Sequence, residues 1–201
     1  MTVADRSVGT FLDDVASGGA TPGGGATAAV AGAAGAALVE MVCANTLRGD
    51  PDAASTEALA ASRDTLNDHR KRLLTLADED MAAVDALMEA YAQSAGERRD
   101  DALEAAAVEA TEVPLEIAET CRDVLEQATT VLERGAPNAA ADGGIGVHLA
   151  HGALEAMVYT VGVNLASIDD AALANELAAR ADAAARDGDV ARDRALESLA
   201  D

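Results

Sequence analysis

The sequence predicts an all-α fold, an antiparallel bundle of about six helices, and three observations carry that prediction. Apolar residues recur at helical spacing along nearly the whole chain, with no sustained alternation of period two. Half of the 201 residues are apolar, yet the only aromatics are Phe11, Tyr91 and Tyr159, and much of the apolar content is alanine. Side chains that small suit helices packed at close range, whereas sheets favour β-branched and aromatic residues. Gly- and Pro-bearing turns divide the chain into segments joined by short connections, which makes sequential helices antiparallel neighbours. A chain of this length forms one domain, residues 1–201, that buries roughly 70% of the surface its unfolded form exposes.

The first helix is expected over 7–18, ending at Gly18-Gly19. The second spans 22–47, with Thr21 as its N-cap and Pro22 as its first residue. Along it Ala28, Gly32 and Ala36 fall four apart and Gly25 and Gly32 seven apart, leaving a strip without bulk that another helix can approach. Gly49-Asp50-Pro51 turns the chain into a long third helix, 53–93, phased by Leu59, Leu66, Leu73 and Leu87 with Leu76, Val84 and Tyr91 as companions. Ser94-Ala95-Gly96 leads to the fourth, 98–134, in which Pro114 predicts a bend and a freed carbonyl at Ala110. After Gly135-Ala136-Pro137 the fifth helix, 142–166, repeats the small-residue theme with Gly146, Gly152 and Gly162. It is expected to lie against the second helix or against a dimer mate. Ser167 to Asp169 then opens the sixth helix, 170–199.

The charge balance excludes one class of partner: 36 acidic against 14 basic residues give a net charge of −22, unsuited to nucleic acid. The single lysine, Lys71, among many arginines on so acidic a background points to a high-salt cytoplasm. Val15 to Val39 carries no charge, but Pro22-Gly23-Gly24-Gly25 and the scarcity of large apolar residues argue against a membrane span. The first residues hold Asp5 and Arg6 and no apolar run, so no signal peptide is expected. Cys43 and Cys121 stand 78 positions apart without metal-ligand spacing and read as buried thiols in a reducing compartment.

Four features could carry chemistry. The heptad stripe of the third helix places Asp80 where leucine is expected, so this carboxylate is paired, hydrogen-bonded or used. A structural ion pair with an arginine and a functional role both fit, while Asp78 falls on the opposite, solvated side. Thr21-Pro22-Gly23-Gly24-Gly25 and Asp142-Gly143-Gly144-Ile145-Gly146 set glycines at helix starts, where uncovered N–H groups favour anions or the missing side chains simply permit close packing. In the second, Asp142 is placed to cap the helix. His69-Arg70-Lys71-Arg72 concentrates the positive charge, to receive an anionic tail or to bridge to acids such as Asp68. His148 and His151 lie one turn apart with no third metal ligand and read as core or surface histidines.

Taken in order, Phe11-Leu12, Thr21-Pro22-Gly23-Gly24-Gly25, Gly35-Ala36-Ala37-Leu38-Val39-Glu40-Met41-Val42, Asp78-Glu79-Asp80, Val113-Pro114-Leu115, Asn138 through Asp142 and Val163-Asn164-Leu165 form a recognisable set. The chain resembles the cyclodeaminase domain of formiminotransferase-cyclodeaminase and the stand-alone methenyltetrahydrofolate cyclohydrolases, from about Ser7 into the sixth helix. The resemblance implies a homodimeric, cytoplasmic, metal-free enzyme acting on a one-carbon-substituted tetrahydrofolate. It places an active-site aspartate in Asp78-Glu79-Asp80, within which the stripe selects Asp80, with Asp78 as the alternative. Asp142 and Asn164 match polar positions of the family and are carried over, Asp142 as catalytic and Asn164 as substrate-binding. Pro22, Gly23, Gly24, Gly25, Thr27 and Arg70 are then expected to bind the substrate, the anionic glutamate tail lying at the helix starts and the arginine patch.

The implied reaction is hydrolysis of 5,10-methenyltetrahydrofolate to the 10-formyl product, because no formiminotransferase segment precedes the domain. Cyclodeamination of 5-formiminotetrahydrofolate is the second expectation. Where the family commonly has serine after the three glycines this chain has Ala26, which leaves Thr27 to supply a hydroxyl and keeps a non-catalytic dimeric scaffold as a third. His148 and His151 also depart from the family, which usually has small or aliphatic residues there.

Overall fold

The computed structural model describes residues 2–199, and it is all-helical: α1 (Val8–Ala16), α2 (Gly24–Arg48), α3 (Ala53–Ala92), α4 (Glu97–Arg134), α5 (Ala140–Asn164) and α6 (Ala171–Glu197). Short 3₁₀ turns at Val3–Asp5, Pro137–Ala139 and Leu165–Ser167 join or precede them, and no strand occurs among the described residues. Side-chain caps set three of the helix starts. The Ser7 hydroxyl accepts from the Thr10 N–H, Asp52 accepts from Ala54 and Ser55, and Asp170 accepts from Ala172 and Leu173.

Residue pairings give the direction of each helix. Ala26 meets Asp80 and Glu40 meets Arg70, so α2 and α3 are antiparallel. Gly32 faces Ala153 and Gly35 faces Gly146, so α2 and α5 are antiparallel as well. Glu119 meets Arg180 and Thr129 meets Ala191, which sets α6 parallel to α4. The bundle therefore runs α2, α4 and α6 one way and α3 and α5 the other, with α4 packed against all four of the rest. Leu115, Ile117, Cys121, Val124, Leu125 and Val131 bury the inner faces of α4 completely.

Alanine and glycine allow these axes to come close. A Cβ on Gly35 would stand 2.7 Å from the Gly146 carbonyl oxygen and 2.9 Å from the Ala150 nitrogen, so α2 and α5 touch backbone to backbone. Of the glycines expected to pack in α5, only Gly146 does so. A Cβ added at Gly152 or Gly162 would meet nothing within 4 Å, because 6 and 16 residues from Gly146 amount to rotations of roughly 240° and 160° on a 3.6-residue helix.

Two helix starts differ from the sequence expectation. α2 is capped by Gly23 and begins at Gly24, leaving Thr21 and Pro22 outside it. The Thr21 hydroxyl donates to Asp85 (3.2 Å) instead of capping the helix. α5 begins at Ala140 straight out of the Pro137–Ala139 turn, so Asp142 sits in its first turn and makes no cap. By length and composition α2 could cross a membrane, but 56% of its apolar window is buried inside the bundle, as in a core helix. Cys43 and Cys121 are both buried thiols, pushed up to about 12 chiefly by burial.

Candidate active site

The α3 stripe continues through Leu59, Leu66, Leu73 and Leu76, all fully buried, to Asp80, which is 6% exposed. Among the described residues no arginine pairs with it. Its Oδ2 accepts the backbone N–H of Ala26 at 2.8 Å, in the first turn of α2. That contact exists because residue 25 is glycine: a Cβ there would fall on the Asp80 carboxylate itself. Burial raises the carboxyl above its usual range, and the Ala26 N–H offsets part of the rise. The result is a carboxyl group with a single fixed hydrogen bond, held at the positive end of a helix. Such a group can hold or release a proton closer to neutrality than a solvated aspartate.

The three glycines divide their work. Gly25 faces Asp80, while Gly23 and Gly24 line an open groove of about 640 Å³ between α2 and α5. Pro22, Thr27, Ala28 and Ala31 continue its α2 wall, and His148, Leu149, Gly152 and Ala156 belong to the α5 wall. Of the substrate-binding residues expected from sequence, Pro22, Gly23, Gly24 and Thr27 thus share one cavity. The Thr27 hydroxyl donates to the Gly23 carbonyl (2.7 Å), so it offers a ligand only its acceptor side. Asp80 itself is not on the groove wall; it lies on the adjacent face of the same α2 turn.

Three expected residues stand elsewhere. Arg70 donates to Glu40 (2.9 Å) and to Asn67 (2.9 Å), ten residues and about 15 Å along α3 from Asp80. Its neighbours are also engaged, Arg72 with Glu79 and Glu116 and Lys71 with Asp68, so the basic cluster ties helices together. Asp142 is exposed and adjoins Gly143, which packs on Val42. Sixteen residues of α2 separate Val42 from Ala26, so Asp142 lies about 24 Å from the Asp80 end of its own chain. Asn164 donates its side-chain N–H to the Ala110 carbonyl at 2.6 Å. This is the carbonyl left without an intrahelical donor by Pro114, which makes Asn164 a brace for the α4 bend.

Asp78 is half-buried rather than fully solvated, and its Oδ1 accepts the Val3 N–H (2.9 Å), fastening the N-terminal turn to α3. His148, read from sequence as a core or surface histidine, is exposed and stands on the α5 wall of the groove. Its spacing of four from both Gly144 and Gly152 could have placed it on the glycine-lined side of α5. His151, one turn on, is buried and binds Asp189 of α6 at 2.9 Å. Among the described residues no group of three or more His, Cys, Asp or Glu is placed to hold a metal ion.

Known proteins match this arrangement over nearly its whole length. The model of the formiminotransferase-cyclodeaminase family covers residues 7–183. A methenyltetrahydrofolate cyclohydrolase of Methylorubrum extorquens is 37% identical over 178 residues, 86% of this chain and 85% of that protein. The crystal structure of formiminotetrahydrofolate cyclodeaminase from Thermotoga maritima superposes with a TM-score of 0.92 at 27% identity, covering 98% of both chains. On the match to the family model and to the Methylorubrum relative, the chain belongs to the formiminotransferase-cyclodeaminase family.

Proposed function

We propose that this chain is a folate one-carbon enzyme that hydrolyses 5,10-methenyltetrahydrofolate to 10-formyltetrahydrofolate, with Asp80 as its general base. The buried Asp80 carboxylate, fixed by the Ala26 N–H on the face of the α2 turn next to a glycine-lined groove, is the observation that carries this reading. The methenyl bridge is a cationic amidinium, so a carboxylate beside it stabilises the bound form and orients the attacking water. Water adds to the bridge carbon as its proton passes to Asp80. The hydroxyl now on that carbon loses its proton as the bond to N5 breaks and N5 takes one up, so the carbon becomes the formyl C=O on N10 and one proton is released overall. The name of the Methylorubrum relative supports this order of readings. The Thermotoga relative supports a second one, in which N10 attacks the formimino carbon and gives up its proton, the same raised carboxyl protonates the leaving nitrogen, and ammonia departs as the 5,10-methenyl bridge forms.

The active unit in this proposal is a homodimer. Along α5 the residues Ile145, Leu149, Gly152, Ala156, Tyr159 and Val163 form an outward seam spaced 4, 3, 4, 3, 4, and Tyr159 is 74% exposed. The spacing is palindromic. Two antiparallel copies of α5 would pair Ile145 with Val163, Leu149 with Tyr159 and Gly152 with Ala156, as an isologous interface requires. The same register would carry Asp142 of the partner subunit toward the Asp80 end of the bundle, which gives the distant Asp142 a place in the site. Leu149, Gly152 and Ala156 belong to both the seam and the groove, so the second copy would also wall the cavity.

The decisive experiment follows the optical decay of 5,10-methenyltetrahydrofolate in molar potassium chloride. Acceleration by the parent and its loss in Asp80→Asn are expected; decay at the buffer rate with the folded parent would overturn the hydrolase reading. Ammonia release from the formimino substrate would then establish the second reading. An equimolar mixture of inactive Asp80→Asn and Asp142→Asn chains, unfolded and refolded together, should regain about a quarter of parent turnover if each site draws on both subunits. No recovery would confine the site to one chain.

A further inference from the structure

We propose that the second copy of the chain covers α2 as well as α5, pairing the outer stripe of α2 with itself and closing the groove between the two helices, an inference that rests on the homodimer reading above. The stripe is Gly24, Thr27, Ala31, Ala34, Leu38 and Met41, spaced 3, 4, 3, 4, 3, and none of the six is buried. Gly24, Thr27 and Ala31 border the groove from one side, and Leu149, Gly152 and Ala156 of the α5 seam border it from the other, so stripe and seam share one face of the bundle. In a chain with 36 acidic and 14 basic residues, neither row holds an acid, a lysine or an arginine. Between Gly24 and Met41 the one such residue is Glu40, which is turned to Arg70 of α3 (2.9 Å). Between Ile145 and Val163 it is Glu155, which lies beside His151 (3.5 Å). The centres of protein interfaces are depleted of charge in the same way.

Both rows obey one two-fold symmetry. The α2 spacing reads alike in either direction about a midpoint between Gly32 and Ala33, and the α5 spacing does so about Leu154. The bundle sets these midpoints side by side. A Cβ on Gly32 would meet the Ala153 Cβ at 3.5 Å and one on Gly35 the Ala150 Cβ at 3.3 Å, which levels the midpoints to within about 4 Å at a rise of about 1.5 Å per residue. A single axis perpendicular to the helices therefore serves both rows. The rotation that pairs Leu149 with the partner's Tyr159 also pairs Ala31 with the partner's Ala34, Thr27 with the partner's Leu38 and Gly24 with the partner's Met41. Size requires the second row: a stable interface takes about 20–30 residues from each side, far more than the α5 seam supplies. The α2 stripe doubles the seam and brings in the residues that flank both rows. In this arrangement the partner's Leu38 and the partner's Met41 close over Thr27 and Gly24, beside the Ala26 N–H that holds Asp80. The open groove becomes an enclosed one, and water is excluded from the α2 start.

Paired cysteines test the arrangement in molar potassium chloride, the native thiols being buried. Thr27→Cys and Leu38→Cys chains, refolded together under mild oxidation, should form a disulfide-linked dimer. Thr27→Cys alone should not, because its two copies would stand about 16 Å apart along the helices, beyond the reach of a disulfide. Leu149→Cys mixed with Tyr159→Cys is the matching pair on α5. Linkage on α5 without linkage on α2 would overturn the α2 pairing and leave the α5 dimer standing, and linkage of Thr27→Cys to itself would contradict the register. Linkage on neither helix, or a parent that is monomeric in light scattering, would remove both. These readouts need no substrate, so they stand apart from the folate reading. Ala34→Glu sets a carboxylate against the partner's Ala31; its helices should persist by circular dichroism while the chain becomes monomeric. A dimer that survives Ala34→Glu would likewise overturn the pairing.

Discussion

Asp80 is held in a state that costs the fold and that the proposed reaction would use. Because burial raises its folded-state pKa, the native protein binds this proton more tightly than the unfolded chain does. The contribution of Asp80 to stability is therefore most favourable at low pH, and it declines as pH rises through the folded pKa. Asn at this position keeps an acceptor for the Ala26 N–H and carries no charge to desolvate. Asp80→Asn should melt higher than the parent at pH 8, converge with it toward pH 4, and lose turnover at every pH; a lower melting temperature at pH 8 would show that the charge is compensated. Asn164 gives a second prediction at this scale. Removing its amide leaves the Ala110 carbonyl without a donor, at a cost of about 1–3 kcal/mol by chemical denaturation. In a Pro114→Ala background residue 114 regains its own N–H, so Asn164→Ala should cost much less there.

The helices were legible in the sequence because their period is, and the seven-residue leucine recurrence in α3 was enough to single out a buried Asp80. The sequence also exposed the Ala110 carbonyl that Pro114 would orphan. It did not reveal the donor, because Asn164 lies 54 positions away and only the α4–α5 packing brings them together. Arg70 misled for a related reason: a cluster of basic residues shows its charge in sequence, but not the Glu40, Glu79 and Glu116 that neutralise it from its own and other helices. Asp142 was placed by resemblance, which gives a position in the family pattern and not its distance from Asp80 along α2. Packing at the element scale also separates two kinds of glycine. Gly35→Ala forces α2 and α5 apart at backbone and should destabilise by about 2–3 kcal/mol, whereas Gly162→Ala meets nothing and should gain about 0.5–1 kcal/mol from helix propensity. Equal effects on the denaturation midpoint would contradict the backbone contact.

At the scale of the whole molecule, charge bears on whether the fold, and the proposed dimer with it, persists. Several arginines are spent on ion pairs between helices, such as Arg70–Glu40, Arg72–Glu116 and Arg180–Glu119, and the remaining acidic surface is self-repelling. Raising potassium chloride from about 0.1 to 1 M shortens the screening length from about 10 to 3 Å. The melting temperature should rise by several degrees over that range, and the fraction of dimer in light scattering should rise with it. Tyr159→Glu, on the exposed α5 seam, should give a folded monomer at all salt concentrations with its turnover lost. A dimer that survives this change would move the interface off α5. The α2–α5 contact also bears on how such a protein could be made tougher. Replacing helical glycine by alanine is among the first substitutions tried for thermostability. Here that route is closed at Gly25, Gly32, Gly35 and Gly146, where the space of the missing side chain is occupied by a neighbour. A lineage, or an engineer, seeking a more heat-resistant version must therefore look to the periphery of the bundle and leave its central crossing untouched.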